Sequence, residues 1–176
     1  MLEAAARILE RDGLEGYTTN TVAERAGVSI GSFYQYFPNK DALTVALIEQ
    51  ETAVLLADIA LIHSIEGYEA RLEHLIRSAI AHQMRRPKLA RLLDFEESRL
   101  PIRSHVRRVA DVFHGALLRV LSRPDGHVAG DAEVAALDAF AIVKGMVDAA
   151  GERGETDPLE LLRRVQRAVF GYLGAR

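Results

Sequence analysis

The chain has 176 residues and a net charge of −3, from 22 lysine and arginine residues against 25 aspartate and glutamate residues. That balance excludes a bulk polybasic binder of nucleic acid or membrane surfaces. The absence of cysteine excludes a disulfide framework, cysteine zinc ligands and a cysteine nucleophile. The sequence shows no secretory leader and no apolar run of the ~18 residues that a membrane span requires, so we expect a cytoplasmic protein.

The N-terminal quarter begins with two predicted helices. The first extends from about Leu2 to Arg11, with an apolar stripe along one side and Gly13 past its end. Thr18 or Thr19 is placed to cap the second helix, because a hydroxyl accepts a hydrogen bond from a free helical N–H group. Gly27 follows this helix, at a position where a positive φ is often needed.

A third short helix is predicted between Ser29, which is placed to cap it, and Pro38, which ends it because the ring removes a donor and restricts the preceding residue. Asn39 is then placed to cap a fourth helix that starts near Lys40. Two short helices around a small turn are the arrangement with which proteins place one helix in the DNA major groove. The pattern therefore predicts a helix-turn-helix.

The faces of the third helix differ in chemistry when successive residues are placed about 100° apart. Phe33 and Phe37 share the face toward the core, and Tyr34 and Tyr36 lie on its flanks. The opposite face carries small or amide side chains: Gly31, Ser32 and Gln35. Such side chains suit base edges, while flanking hydroxyls suit phosphates. Ile30 has a core-like angle, yet at the helix tip it could instead contact a thymine methyl group.

The remainder of the chain predicts six longer helices separated by loop signals. In order they span about Lys40–His63, Tyr68–Arg85, Pro87–Arg99, a segment from Pro101 to Ser122, Asp131–Ala150, and a segment capped by Asp157 that ends near Leu173. The clearest loop is 123–130. The first of these helices has four apolar residues predicted to face inward: Leu43, Leu47, Val54 and Leu55. It joins both parts of the chain and is the expected route between them.

The Asp131–Ala150 helix is apolar around most of its circumference. A helix of this kind is buried on more than one face, either wholly within one subunit or against a second subunit. In a chain of this size, a second subunit is the simpler explanation. The residues predicted at this dimer interface are Val143, Val147, Leu162 and Val169.

A small-molecule site between the middle helices should be mostly apolar, with a few polar groups. The candidate lining residues are Tyr68, His82, Phe95, Arg99, Phe113 and His114. The alternative for each is an ordinary core aromatic, a surface charge or a solvated histidine. His74, Ser78 and His82 share a helix face, but two histidines without a third ligand do not predict a metal site. No cofactor is predicted.

The motif segments of the first quarter closely resemble the TetR family of bacterial transcriptional regulators. The matching segments are Tyr17-Thr18-Thr19, Val22-Ala23, Ala26-Gly27-Val28-Ser29, Gly31-Ser32-Phe33-Tyr34, Tyr36-Phe37 and Asn39-Lys40-Asp41-Ala42-Leu43. The resemblance implies an all-α homodimer that binds double-stranded DNA and a small-molecule inducer. It implies a three-helix helix-turn-helix DNA-binding domain in residues 1–44 and a larger helical ligand-binding and dimerisation domain in residues 45–176.

Carried over position by position, the resemblance assigns two groups of DNA contacts. The residues expected on phosphates are Thr19, Tyr34, Tyr36 and Lys40. Those expected near base edges are Asn20, Ile30, Gly31, Ser32 and Gln35. The implied function is a ligand-responsive regulator, most simply a repressor that binds a near-palindromic operator and is released by a small molecule. The apolar and aromatic composition of the middle helices favours a mostly apolar or aromatic molecule with one polar or anionic group.

The start of the chain departs from the family pattern. Family members usually carry a basic arm and one more turn before the first helix, whereas this sequence opens at Met1-Leu2-Glu3-Ala4. Residues 1–45 hold four basic and six acidic side chains, a net charge of −2, so attraction to phosphates is expected to be weak.

Three functional alternatives remain open. One is an activator, and another is a helical interaction protein that does not bind DNA. A third is an enzyme that uses histidine and carboxylate groups, although the sequence has no nucleophile elbow, phosphate loop or HExxH motif.

Overall fold

The computed structural model describes residues 1–123 and 130–174. Within those ranges the chain forms nine α-helices and one short 3-10 helix, without strands. The α-helices are α1 (Leu2–Gly16), α2 (Thr19–Arg25), α3 (Ile30–Tyr36), α4 (Lys40–Ala60), α5 (Tyr68–Met84), α6 (Pro87–Arg99), α7 (Arg103–Leu121), α8 (Ala132–Glu152) and α9 (Pro158–Gly174). The 3-10 helix is Leu61–Ser64, and most of the predicted loop 123–130 lies outside the described residues.

Local capping sets the starts of the three helices that carry the residues predicted to contact DNA. Thr18 Oγ1 accepts a hydrogen bond from the backbone of Thr21, and Ser29 Oγ accepts one from Ser32 at 3.0 Å. Asn39 Oδ1 accepts a 2.8 Å bond from a backbone N–H in the first turn of α4. The caps predicted at Ser29 and Asn39 are confirmed, and the cap of α2 is Thr18 rather than Thr19.

Glycines with positive φ end or interrupt the N-terminal helices, as expected. Gly27 has φ 69° and ends α2. Gly13 has φ 70° and ψ −161°, so it interrupts α1. The first helical segment therefore ends just before Gly13, close to the predicted end near Arg11, and a separate helical turn follows as far as Gly16.

Two hydrophobic cores organise the fold. The first surrounds α3 and contains Phe33, Val22 and Leu43, together with Leu89 and Leu93 of α6. The second fills the space among the end of α4 and helices α5, α7, α8 and α9. Because α6 contributes to the first core and packs against α1 and α4, the N-terminal helices share their core with a helix that begins more than 40 residues after α3.

Two sequence-based expectations about burial are wrong. Val54 is 40% exposed, although it was expected to face inward on α4. The four residues expected at the dimer interface lie in the interior of one subunit, each at most 5% exposed: Val143, Val147, Leu162 and Val169. The reason is that α8 packs against α5, α6, α7 and α9 of its own chain, which uses most of its apolar circumference. In the described part of the chain, no helix is long and apolar enough to cross a bilayer.

Candidate functional site

Helix α3 buries one aromatic face and exposes the other. The Phe33 ring is fully buried, 5.9 Å from the ring of Phe37 and 5.4 Å from that of Tyr34 in an edge-on arrangement. Tyr34 and Tyr36 are 50% and 71% exposed. Ile30 is 40% exposed, so the first turn of α3 does not bring it into the core. The outer face of α3 is therefore free to contact a partner.

All nine residues predicted to contact DNA are exposed or half-exposed in this chain: Thr19, Asn20, Ile30, Gly31, Ser32, Tyr34, Gln35, Tyr36 and Lys40. They belong to the first turns of α2 and α4 and to α3. The hydroxyls of Thr19 and Tyr34 share a hydrogen bond of 3.3 Å, which ties α2 to α3 on this surface. Their contact with DNA remains a prediction.

Tyr17 anchors the start of α4 against this surface, a role that the motif comparison did not reveal. Its hydroxyl shares a 3.1 Å hydrogen bond with Thr44 Oγ1, and burial raises the pKa of Tyr17 to about 12. The ammonium of Lys40 lies 5.5 Å from the centre of the Tyr17 ring, within the range of a cation–π contact. The Tyr17 side chain therefore positions Lys40 at the edge of the α3 surface.

A cavity of about 150 Å³ lies among α4, α5, α6, α7 and α8. Its apolar wall includes Leu55, Val109, Phe113, Phe140, Val143 and Val147. The rings of Phe113 and Phe140 are 5.6 Å apart and tilted by 50°. Val143 and Val147, expected between subunits, instead form part of this wall. A concave, mostly apolar wall with a few polar groups is typical of small-molecule sites.

Only two of the six residues predicted to line a ligand site do so in this cavity. His82 and Phe113 line it, whereas Tyr68, Phe95, Arg99 and His114 do not. Phe95 is 60% exposed on the outer side of α6, and Arg99 is engaged by Asp41 at 2.6 Å and Glu96 at 2.6 Å. Tyr68 packs in the second core at the start of α5. His114 follows Phe113 and points about 100° away from it around the helix axis.

A buried hydrogen-bond chain joins the cavity wall to α4. Arg108 donates to His105 Nδ1 at 2.8 Å, which leaves Nε2 as the donor nitrogen of the His105 ring. That nitrogen lies 2.8 Å from Thr52 Oγ1, and the Thr52 hydroxyl donates to the Ile48 carbonyl at 2.8 Å. Both Thr52 and His105 line the cavity. Sequence reasoning missed this pair, because 53 residues separate the two positions.

The polar end of the cavity is acidic. Asp94 and Glu97 of α6 line it, as do Lys144 and Asp148 of α8, which form an ion pair with each other. Burial, reinforced by the Asp94 carboxylate, raises the pKa of Glu97 to about 7. Burial also raises the pKa of Asp94 and lowers that of His82, whose Nδ1 has no hydrogen-bond partner in the described part of the chain.

Helix α6 also forms ion pairs with the N-terminal helices α1 and α4. Arg86, which precedes its first turn, contacts Glu10 at 2.6 Å and Glu3 at 3.1 Å on α1. Near its other end, Arg99 pairs with Asp41 in the first turn of α4. One face of α6 therefore holds the first core and another lines the cavity.

Comparison with known proteins gives matches to both parts of the chain. Residues 1–47 match the family described as "Bacterial regulatory proteins, tetR family", and residues 69–173 match the "Tetracyclin repressor-like, C-terminal domain". The HTH-type transcriptional repressor AcnR of Corynebacterium diphtheriae is 26% identical over 167 residues, covering 91% of this chain and 84% of AcnR. The nucleoid occlusion factor SlmA of Glaesserella parasuis is 28% identical over 116 residues, covering 63% of this chain and only 55% of SlmA.

Solved structures share the fold over nearly the whole chain. The fatty acid degradation regulator FadR of Bacillus halodurans has a TM-score of 0.77 at 20% identity, covering 99% of this chain and 97% of that protein. FadR of Bacillus subtilis, solved in complex with stearoyl-CoA, has a TM-score of 0.78 at 17% identity, covering 97% and 96%. With both family matches and this architecture in place, the chain belongs to the TetR family of bacterial regulatory proteins.

Proposed function

We propose that this protein is a transcriptional repressor that binds a near-palindromic operator as a homodimer and is released by a small molecule bound in the cavity. The observation that carries this proposal is the double role of α6. Leu89 and Leu93 of α6 are buried in the core that also holds Phe33 of α3, while Asp94 and Glu97 of the same helix line the cavity. A ligand that displaces α6 therefore has to disturb the support of the DNA-contacting surface.

The sequence predicted that α4 alone would transmit the signal, and we extend that route to α6. Helix α4 contributes Thr52 and Leu55 to the cavity and Leu43 to the first core. Arg86 and Arg99 add ion pairs between α6 and the N-terminal helices. A ligand shifts the protein from a DNA-binding state to a released state only to the extent that its affinity differs between these two states.

For DNA recognition, we keep the sequence-based assignment of roles. The exposed face of α3 provides Gly31, Ser32 and Gln35 for base edges, and the flanking Tyr34 and Tyr36 for phosphates. The 34–36 Å spacing of successive major grooves on one side of DNA requires two such helices for a near-palindromic site, which a homodimer supplies.

For dimerisation, we propose that the interface is an exposed strip on α8 and not the four buried residues first expected there. Val134, Leu137 and Ala141 follow a spacing of three and four residues, and all three are exposed. Leu137 is 51% exposed, an unusual position for a leucine in the middle of a packed helix. We propose that a second copy of the chain covers this strip.

The test of the function is selection of bound duplexes from random double-stranded DNA, followed by anisotropy titration of the enriched sequence. We expect enrichment of a near-palindrome and an affinity that falls as salt rises. Recovery of no preferred sequence, with equal affinity for scrambled duplexes, would favour the alternative of a helical interaction protein.

A further inference from the structure

The charges around the cavity are unbalanced. Three carboxylates line it, from Asp94, Glu97 and Asp148, against the single ammonium of Lys144, a formal charge of −2. Lys144 is already paired with Asp148. Asp94 and Glu97, which are three residues apart on α6, are left facing the space with no cation of their own in the lining.

The two histidines of the lining do not supply the missing positive charge. His105 Nδ1 accepts a hydrogen bond from Arg108 at 2.8 Å, and the Glu49 carboxylate lies 4.0 Å from the same atom, so the polar atoms of this ring already have partners. Burial and the nearby Arg85 lower the pKa of His82, so this side chain is neutral near pH 7. The Nδ1 atom of His82 is buried without a partner in the described part of the chain.

The rest of the cavity suits an apolar group. Phe113 and Phe140 form a ring pair there, beside Val109, Val143 and Val147. A narrower cleft lined by Thr52, His82, Asp94 and Glu97 adjoins the acidic end and reaches Arg86 and Leu89. The cavity is thus apolar at one end and acidic at the end nearest the link between α6 and α1.

We propose that the cavity binds a small amphiphilic cation, with its ammonium group between Asp94 and Glu97 and its aromatic or aliphatic body against Phe113 and Phe140. This inference rests on the proposed function, since it names the class of inducer. It narrows the expectation from the sequence, a ligand with one polar or anionic group, to a ligand whose polar group is cationic. The apolar wall beside the carboxylates lowers the local dielectric constant on one side, which strengthens the attraction between the ammonium and the carboxylates relative to bulk water.

The protonation behaviour of Glu97 agrees with this assignment. Its pKa is raised by burial and by Asp94, and Asp148 adds to the same negative field while Lys144 opposes it. Asp94 accepts a long hydrogen bond from Gln83 at 3.4 Å. Burial raises the pKa of Asp94, as do the charges of Asp148 and Glu152, while Gln83 and Lys144 oppose the shift. A bound cation would relieve this repulsion, because an opposite charge nearby favours the ionised carboxylate.

The experiment is calorimetric titration, without DNA, of three probes that share one body: phenylbutylamine, phenylbutanol and phenylbutyrate. We expect the amine to bind roughly tenfold more tightly than the alcohol, and the acid to bind most weakly. Glu97→Gln should remove most of the preference for the amine while leaving the affinity for the alcohol unchanged. Asp111→Asn, which removes an exposed carboxylate of α7 outside the cavity, should leave all three affinities unchanged.

Two further variants test the position of the ammonium group and the location of the site. Asp94→Asn should weaken binding of the amine as Glu97→Gln does, and Ala110→Phe should block all three probes by filling the cavity. Tightest binding of the acid, an amine preference that survives both carboxylate variants, or no binding of any probe at millimolar concentration would overturn the proposal. Because no DNA is present, such a result would leave the proposed regulator intact, whereas failure of DNA selection would leave the ligand assignment intact.

Discussion

The guanidinium of Arg86 lies 2.6 Å from the carboxylate of Glu10, across the boundary between α6 and α1. Arg86 Nε also donates to Glu10 at 2.8 Å, so the pair is bidentate, and this contact holds the pKa of Glu10 below its usual range. Arg86 is further bonded to Glu3. A planar guanidinium held by two carboxylates fixes the orientation of α6 more firmly than a single ion pair would.

We expect Arg86→Ala to loosen α6 from α1. The change should lower the free energy of unfolding by about 1–2 kcal/mol, and Glu10→Ala in the same background should add little, because both remove one interaction. Urea unfolding of the two single variants and the double variant measures this coupling. Arg77→Ala is the control, because it breaks an exposed pair with Glu73 within α5. Fully additive effects of Arg86 and Glu10 would show that their contact contributes nothing.

Glu97 should make stability depend on pH in an unusual direction. Its pKa is about 7 in the folded chain against an ordinary value of 4.5, so the folded state binds its proton more tightly. The resulting stabilisation is complete below pH 4.5 and is lost as pH rises through 7. A carboxyl with a lowered pKa, such as Glu10, has the opposite effect, because its contribution to the stability of the folded state is lost as pH falls.

The measurement is the thermal midpoint of wild type and Glu97→Gln at pH 5 and at pH 7.5. The wild-type midpoint should fall relative to that of the variant over this interval, since glutamine does not titrate. The pKa of Asp94 is raised as well, so the midpoint of the variant will still fall slightly with rising pH. Parallel profiles for the two proteins would mean that Glu97 titrates normally.

The parts of the fold that the sequence predicted correctly depend on local interactions. Ser29 and Asn39 cap their helices by bonding to backbone N–H groups three residues ahead, so the signal lies within one helical turn. The division of α3 into buried Phe33 and exposed Tyr34 follows from helical periodicity alone. These features need no knowledge of how distant helices pack.

The ligand cavity could not be predicted in the same way. Phe95 and Phe113 looked equivalent as aromatic residues of middle helices, yet only Phe113 faces the cavity. On α6, Phe95 was expected to line the ligand site but is exposed, and the adjacent Asp94 lines the cavity instead. Arg99 is drawn away by Asp41, which lies 58 residues earlier. Such choices depend on long-range packing, which helical periodicity does not contain.

Leu137→Arg should weaken dimerisation without unfolding the chain. The side chain is 51% exposed in a single subunit, so arginine fits the isolated fold but places a charge in the proposed interface. Sedimentation at micromolar concentration should give monomers with an unchanged helical circular dichroism signal. By contrast, Val143→Arg should unfold the protein, because that side chain is only 1% exposed within one subunit. A wild-type protein that is already monomeric would contradict the assignment of this strip as a dimer interface.

Two neighbouring residues of α3 should have different effects on DNA binding. Gln35→Ala should relax the preference at one base pair of each half-site, at a cost of about 1–3 kcal/mol per lost bidentate contact. Tyr34→Phe removes the hydroxyl that bonds Thr19, so it should weaken binding to all sequences to a similar extent. Affinities for a panel of singly substituted duplexes separate the two effects. An unchanged specificity profile for Gln35→Ala would place this side chain away from the bases.

Thr52→Val should weaken the coupling between the cavity and DNA binding. The hydroxyl of Thr52 accepts from His105 Nε2 and donates to Ile48 of α4, and valine leaves the imidazole N–H buried without an acceptor. The expected loss of stability is about 1–3 kcal/mol. Thr44→Val is the matched control, because it removes another buried hydroxyl of α4, bonded to Tyr17, outside the cavity.

The coupling itself is measured by titrating DNA in the presence and absence of saturating phenylbutylamine. In wild type, ligand and DNA should each weaken the other by the same factor, equivalent to about 1–3 kcal/mol, since linkage is reciprocal. This factor should shrink toward one in Thr52→Val but persist in Thr44→Val, even if both variants lose similar stability. Loss of coupling in both would indicate that it follows overall stability. An unchanged factor in Thr52→Val would assign transmission to α6 and its contacts through Arg86, because α6 is the other wall of the cavity that reaches the first core.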